Sequence, residues 1–544
     1  MRNLPTFATA LPLLAFAACT GGPGELQDPP ALTITAPARS LIQDHAGQVQ
    51  VTGTVTPNAE GTAIRSVMVN DVAATLNVDG TFTANVQVEA GASLIHTVAT
   101  DAKGDTASDT RSVEAGQLVG PGTMIDNAIT AAISPQAFGK IGDAAGTLIA
   151  QANLTQMISG MQPMVNKGGS CLGAKLYVDS LTITNAKIGL VPTNSGLMFS
   201  AELDGVDTKG HVTYDVACIG GSDTYEMTAD AVLISATLDV TPNGMNGFTS
   251  TLLSPNVSLQ NLNVSASGLP GDILDLIDMN SAIASIVSST AETFMGPMVN
   301  QAFGALAGPQ QLSLLGQTID VQVAPSDVEF SDAGGTIVLD TSFLIQAAKN
   351  SKGFVSTQDG TPNMNPGMGM QLGIADNLAN DMLAQVTSLG LLDISMPTNG
   401  GTFDSAAMSA TSPPMISAAA ADGKMQLVLP DMKVTFTQQG VPVASAALNA
   451  TVDLQIASVN NGYGVAIQLG TPTIDIDTTN DIPNDTKFTN DDLSKAVTLA
   501  LSGQIASISA LLGSIPLPSV EGLQLTNVSV GADSGYVMLS GTLK

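Results

Sequence analysis

Asp327-Val-Glu-Phe-Ser-Asp-Ala-Gly-Gly-Thr-Ile-Val-Leu-Asp340 and Asn527-Val-Ser-Val-Gly-Ala-Asp-Ser-Gly-Tyr-Val-Met-Leu-Ser540 align without a gap, with identities at Val328/Val528, Gly335/Gly535 and Leu339/Leu539. The offset, 528 minus 328, is 200 residues. Each stretch reads as two strands around a glycine turn, and the same order of elements precedes both. In the first copy, Met124 to Val165 is mostly helical in period, with Leu154, Met157, Ile158, Met161 and Val165 on one stripe that Pro135 and several glycines must interrupt. A β-rich stretch follows from Ala174 to Ser267, with strands at Leu176–Thr184, Leu197–Leu203, His211–Val216 and Ala231–Val240. A second helix then runs from Gly271 to Leu306, holding Ile273, Ile283, Phe294 and Met298 at helical spacing behind Asp272 and Asp275 at its N-terminus. In the second copy, Ile374 to Leu392 is helical with Leu378, Met382, Val386 and Leu389 on a stripe, and strands run from Met425 to Leu469. A last helix begins at Asn490-Asp491-Asp492 and carries Leu493, Val497, Leu501 and Ile505 on its apolar face. Residues 122 to 544 therefore read as two copies of one helix, sheet, helix, strand unit.

Before the Gly/Pro break at Gly116 to Gly122 the text alternates at period two. Gln48–Val55, Ile64–Val69, Phe82–Val88 and Leu94–Ala99 read as strands, with Asn70-Asp71 and Asp79-Gly80 as turns. Short strands at this spacing imply a β-sandwich. The stretches Val51–Val55, Ser66–Asn70, Asp79–Phe82 and Ala99–Gly104 resemble the Ig-like modules of bacterial surface proteins, which implies a spacer.

Composition narrows the function. With 44% apolar residues the chain can bury real cores, and 12% charged residues with 47 acidic against 17 basic give a formal charge of −30. Such a field repels nucleic acid and anionic surfaces at long range. Trp is absent and aromatics make up 3%, so stacking platforms for bases or sugars are not expected and cores must be built from Val, Ile, Leu, Ala and Met.

The N-terminus reads as an export signal: Met1-Arg2, an apolar run to Ala18, then Cys19. Ala17-Ala18-Cys19 resembles the lipobox of bacterial lipoproteins, with Phe16 where leucine is usual, and Thr20 to Pro30 suits a tether. Cleavage after Ala17 with Cys19 left as a thiol is the alternative. The other two cysteines, Cys171 and Cys218, either close a disulfide in an oxidising compartment or stay as buried thiols.

From residue 122 to 544 the chain resembles the family of bactericidal/permeability-increasing, lipopolysaccharide-binding and cholesteryl-ester-transfer proteins, the tubular lipid-binding fold. Val191-Pro192 through Gly196-Leu197 is similar to that family's strand entry, and the helix from Gly271 falls where it places a long helix. Val323-Ala324-Pro325 with Val338 to Phe343 resembles its crossing to a central sheet, Met370 to Asn380 the opening of its second half, and Ile515 to Pro518 through Tyr536-Val537 its ending. The resemblance implies a disulfide in the first barrel and acyl chains held between curved sheet and helices, at Met157, Met161, Ile283, Phe294 and Met298 in the first barrel and Met382, Val386, Leu501 and Ile505 in the second. Burial of acyl chains there is worth about 0.8 kcal/mol per methylene, and plain core packing would need the same apolar stripes. The chain departs from members with a basic tip: between Met124 and Leu344 it has five lysines and no arginine.

Catalytic motifs are missing from the sequence: it has no G-x-S-x-G, H-E-x-x-H or Walker loop, and its three histidines are His45, His96 and His211. Asp475, Asp477, Asp481, Asp485, Asp491 and Asp492 read as a solvated loop and helix cap, with calcium as the alternative, and Met364, Met368 and Met370 as a flexible connection rather than a copper site. The chain is therefore expected to be α+β, with a signal peptide (1–18), a lipoprotein tether (19–30), an all-β Ig-like sandwich (31–116) and two tandem tubular lipid-binding barrels (122–335 and 336–544). It is expected to be no enzyme, to need no cofactor or metal, and to bind phospholipid or another acyl lipid. Export and lipid anchoring to the bacterial envelope at the outer membrane, on its periplasmic or surface face, complete the expectation. A packed surface structural or adhesion protein and an unrecognised hydrolase are the competing readings. Cys19→Ala should release the protein from membranes in a fractionation experiment, and unchanged membrane association would reject the lipid anchor.

Overall fold

The computed structural model describes residues 29–169, 171–244, 247–266, 268, 273, 308–314, 317–357, 360–367, 369–398, 403–417, 425–459, 464–479, 481–482, 488–490, 492–498, 514–516 and 525–544. Strands dominate them. The chain divides into two compact units, one of Met1–Ala36, Gln50–Val86 and His96–Asp109, the other of Pro37–Val49, Gln87–Ile95 and Thr110–Lys544.

Nine strands form a β-sandwich: β1 (Ala31–Ala36), β2 (Leu41–Gln43), β3 (Gly47–Thr56), β4 (Ile64–Val69), β5 (Val72–Ala73), β6 (Thr75–Leu76), β7 (Thr81–Val88), β8 (Gly91–Asp101) and β9 (Thr106–Ala115). Its two sheets run β1-β3-β7-β6 and β2-β9-β8-β4-β5. Period two appears as burial: Val49, Val51 and Val55 on β3 and Phe82, Ala84, Val86 and Val88 on β7 point inward. The Ala99–Gly104 motif also has a physical basis. Asp101 Oδ1 accepts the N–H groups of Lys103, Gly104 and Asp105, each at 2.9 Å, and so shapes the turn out of β8.

The second unit begins with β10 (Gln117–Val119), β11 (Ile125–Ile133), α1 (Pro135–Gln151) and α2 (Leu154–Ile158). Next come β12 (Val165–Gly169), β13 (Leu172–Thr182), β14 (Asn185–Thr193), β15 (Gly196–Val216), β16 (Ile219–Pro242), β17 (Phe248–Gln260) and β18 (Asn263–Ser265). β19 (Gly308–Leu314), β20 (Gln317–Ser331), β21 (Gly334–Ile345), β22 (Phe354–Ser356), β23 (Met370–Ala375) and α3 (Asp376–Ser388) follow. The last strands are β24 (Ile394–Pro397), β25 (Ser405–Ser409), β26 (Met415–Ser417), β27 (Met425–Gln438), β28 (Val441–Val459), β29 (Gly464–Leu469), β30 (Thr473–Thr479), β31 (Ser514–Pro516), β32 (Leu525–Asp533) and β33 (Tyr536–Leu543).

The repeat is visible in the central sheet, ordered β19-β20-β21-β11-β23-β33-β32. Hairpins β20–β21 and β32–β33 carry the two matching stretches and stand beside β11 and β23, which pair antiparallel from Ile129↔Ile374 to Ile133↔Met370. Ala132 faces Thr336 in the first copy and Ala375 faces Tyr536 in the second, again 200 apart on the hairpin side. On either side lie a sheet ordered β12-β13-β15-β16-β17 and one ordered β24-β25-β27-β28-β29-β31, with β14 and β18 branching from the first and β26 and β30 from the second.

Three expectations are corrected. Residues 125–133 and 374–375 are in strands where helix was expected to begin: Ala128 and Ala131 to Ile133 are buried on both faces of a mid-sheet strand, which erases alternation. Pro135 does not interrupt a helix but starts one, at the first position after Ser134, whose Oγ accepts the N–H of Ala137 at 3.2 Å. Leu197–Leu203 and His211–Val216 are one strand. Gly205, at φ +60°, lies between the pairs Asp204↔Ala231 and Val206↔Ala229, and the register runs through it without a shift, as a glycine in the left-handed region allows.

Helix α1 lies on β14 through glycine. A Cβ on Gly142 would sit 2.5 Å from Ile188 O and one on Gly146 2.6 Å from Ala186 O, whereas one on Gly139 would meet nothing within 4 Å. Gly142→Ala is therefore expected to cost about 1–3 kcal/mol and Gly139→Ala to be neutral or stabilising by about 0.5–1 kcal/mol. Urea denaturation of the two variants side by side checks this.

Candidate functional site

The inner face of the β13 to β17 sheet is the candidate site. β15 and β16 are 21 and 24 residues long, beyond the usual strand of about 3–10 residues, and at about 3.3 Å per residue they span roughly 70–80 Å. Apolar residues line that length on one face. Near the Cys171–Cys218 end, Val165, Ala174, Leu176, Val178, Val212 and Tyr225 are buried together with Ile158 and Ile273. Toward the central sheet, Leu197, Phe199, Ala201, Ile234 and Leu238 are buried with Phe138 and Ile141 of α1. Between them Leu203, Val232 and Leu259 stand in one row across β15, β16 and β17. Leu259 and Leu262 pack against both clusters, so the apolar face is continuous. In that middle stretch Leu203, Val206, Val257, Leu259 and Leu262 are only half-buried.

At the far end the β12–β13 and β15–β16 strand ends meet. Cys171 and Cys218 are joined, S–S 1.97 Å, and Cys218 N–H donates to Cys171 O at 3.4 Å. Beside them an open recess of about 720 Å³ is lined by Asn166, Lys167, Lys175, Tyr214 and Asp215 among glycines. Leu172 and Ile219, on the same strand ends, are 47% and 74% exposed. Lys187 and Lys209 are held by carboxylates on neighbouring strands. Lys167 and Lys175 form no ion pair among the described residues. Tyr225 lies over Gly210, and its hydroxyl donates to Tyr177 O at 3.1 Å; burial pushes its pKa up.

The structure distributes the expected lining residues unevenly. Met161 is half-buried against the cluster near the disulfide. Met157 is 45% exposed, a correction to its place in the lining: α2 has five residues, Leu154 and Ile158 take its inward positions, and the helical stripe ends there. Val386 is buried in the cluster near the central sheet and Met382 packs against it. Cys19, Ile283, Phe294, Met298, Leu501 and Ile505 lie outside the described residues, as does the helix from Gly271 to Leu306 apart from Ile273.

Sequence reasoning missed the other face of α3. Asn377, Asn380, Asp381 and Gln385 are all buried, and three of their side-chain amides act as rungs for strand edges. Asn380 accepts from Ile416 N–H (2.7 Å) and donates to Ile416 O (3.0 Å), Gln385 accepts from Ile345 N–H (2.7 Å) and donates to Phe343 O (2.8 Å), and Asn377 accepts from Thr357 N–H (3.1 Å). The spacing Asn377, Asp381, Gln385 was the available signal: a polar stripe opposite the apolar one. Asp381 Oδ1 accepts from Gln385 Nε2 at 2.8 Å, its Oδ2 has no protein partner, and burial raises its pKa to about 7 against the smaller effect of Gln385.

The acidic residues from Asp475 to Asp492 go to separate partners. Asp477 accepts Thr110 N–H at 2.8 Å, Asp481 pairs with Lys433 at 2.9 Å, and Asp492 bonds Thr489 in a capping box that lowers its pKa. Asp485 and Asp491 lie outside the described residues. Among the described residues no group of three or more His, Cys, Asp or Glu is placed to hold a metal ion.

Residues 30–117, the extent of the sandwich, match the family described as glucodextranase, domain B. In structure the chain is similar to lipopolysaccharide binding protein, with TM-score 0.38 and 14% identity over 78% of this chain and 99% of that one. It is similar also to P47 from Clostridium botulinum A2, with TM-score 0.23 and 10% identity over 77% and 98%. No curated protein sequence matches it.

Asp381 carries a pH prediction. Its folded pKa lies above the ordinary 3.8, so its contribution to stability falls as pH rises from 3.8 to about 7 and is level above that. Asp381→Asn should gain about 1–3 kcal/mol on wild type between pH 5 and pH 8, read from urea melts at both pH values.

Proposed function

We propose that the chain is a non-catalytic lipid-binding protein whose β13 to β17 sheet holds acyl chains along its inner face. The supporting observation is the continuous apolar row through Leu203, Val232, Leu259 and Leu262, in which Leu203, Leu259 and Leu262 are only half-buried around the buried Val232. A packed core of this length would bury its middle as fully as its ends. Each methylene seated there is worth about 0.8 kcal/mol, so a few carbons offset the cost of leaving Leu and Val half-covered. Lys167 and Lys175 beside the exposed Leu172 and Ile219 suit the end at which a lipid with an anionic head enters. Export and tethering through Cys19 at the outer membrane belong to the same proposal, with the sandwich as spacer.

A structural reading fits the β24 to β31 sheet better. Its cluster is closed: Phe403, Met432, Val434, Phe436, Leu448, Leu493 and Val497 are buried, together with Ala444, Ala446 and Ala450 of β28. The proposal therefore places bound lipid in the first half of the repeat.

Lipid extracted from purified protein should contain phospholipid or another acyl lipid in stoichiometric amount. Leu203→Gln and Met161→Gln should lose most of it while melting within about 4 °C of wild type, because a half-covered position tolerates polarity better than a packed one. Wild-type protein that repeatedly purifies lipid-free and takes up no fluorescent phospholipid would reject the reading.

A further inference from the structure

Asp431 anchors a polar cluster that lipid binding does not use. It lies on β27 at φ +39°, in a bulge between the pairs Leu429↔Ala450 and Met432↔Leu448. Asn449 holds that conformation, accepting Asp431 N–H at 2.8 Å and donating to its Oδ1 at 3.0 Å. The bulge aims the carboxylate at the chain segments 39–42 and 110–114. Oδ1 also accepts from Arg39 Nη1 at 2.9 Å, and Oδ2 accepts from Ser40 N–H (2.7 Å), Ser112 N–H (2.9 Å) and Ser112 Oγ–H (2.7 Å). On β30, Asp477 takes Thr110 N–H at 2.8 Å and stands 3.7 Å from Arg39 Nη2. One guanidinium and four further donors thus tie two chain segments to the eight-stranded sheet through two carboxylates.

Glu114 differs from these two carboxylates. Two residues beyond Ser112 on β9, it is 3% exposed and its Oε1 has no protein partner. The charged groups on the elements around it are Asp431 on β27, Asp477 on β30 and Arg39. Lys433 of β27 is engaged with Asp481 at the surface, and neither β2 nor residues 91–95 of β8 carry a titratable group. Arg39 is committed to the two aspartates and Arg111 of β9 donates to Pro37 O at 2.6 Å, and among the described residues no ion pair to Glu114 is formed.

We propose that Glu114 is a proton-operated release for the Asp431 latch, holding segments 39–42 and 110–114 to the eight-stranded sheet when protonated and working to free them when ionised. Burial moves the Glu114 carboxyl up to about 7, the Ser412 hydrogen bond opposes this, and the Asp431 charge adds to it. In the freed state the carboxyl returns toward its ordinary 4.5. Between those values the closed form keeps a proton that the open form has lost. Opening therefore becomes easier as pH rises through that window and changes no further above about 7.

Hydrogen exchange of the full-length protein, followed at the peptides containing the Ser40, Thr110 and Ser112 amides, tests this. After correction for intrinsic exchange, the opening constant should rise roughly 30-fold from pH 5.5 to pH 8, and in Glu114→Gln it should be flat. An equal pH dependence in wild type and variant overturns the proposal. Should the variant not fold, wild-type protein decides alone: opening at 110–112 that is unchanged between pH 5.5 and 8 overturns it equally.

Discussion

The antiparallel ladder from Ile129↔Ile374 to Ile133↔Met370 joins the two copies of the repeat in one sheet, and much of the second unit follows from it. With β11 and β23 as neighbours, each strand has one free side, and each fills it with the hairpin of its own copy. The chain then leaves both strands directly into a helix, α1 from β11 and α3 from β23. Residues such as Ala131 and Ile133 are buried because a strand in this position has no solvent face. A slip of one residue in this ladder would reverse the faces of both strands and misplace both helices.

The two helices dock by different chemistry. α1 brings its backbone against β14 at Gly142 and Gly146, leaving Phe138 and Ile141 to reach into the apolar interior. α3 docks through amides that replace missing strand partners for Phe343, Ile345 and Ile416. Hydrogen bonds fix α3 in one rotation, which allows its Val386 to seal the interior near the central sheet. The apolar face of β15 to β17 meets α1 near the central sheet and ends at the Cys171–Cys218 strand ends. Its middle, around Leu203 and Leu259, is where apolar surface remains half-covered.

How much of this was legible in the sequence depended on whether a signal was local. The sandwich strands were, because one face is buried and the other wet, and Asp101 and Gly80 sit in turns that need their chemistry. The repeat was legible from the matching hairpins, since a glycine turn between alternating strands survives divergence. Strand β11 was not, because burial on both faces at Ala131 to Ile133 removes the period that marks a strand, and the end of β23 was not, because it runs directly into α3. The unity of β15 was hidden by the mostly polar run from Asp204 to Lys209 between its two apolar stretches, through which the ladder to β16 continues without a shift. On the apolar stripes, Met161 and Met382 pack partly buried and Val386 is buried, whereas Met157 is exposed on a five-residue helix that the stripe outruns. Gln385, Asp431 and Glu114 went unseen because the groups around them lie far away in sequence, as with Ser112 and Asp431.

The central claim is that the interior of the β13 to β17 sheet is a place where acyl chains sit. Photolabelling with a phospholipid carrying a diazirine on its acyl chain, followed by peptide mapping, tests it most directly. The account predicts labelled peptides containing Leu203, Val206, Val257, Leu259 or Leu262, from the inner face. Label confined to outward-facing positions such as Val191, Met198 and Leu253, or no label above a lipid-free control, would contradict it.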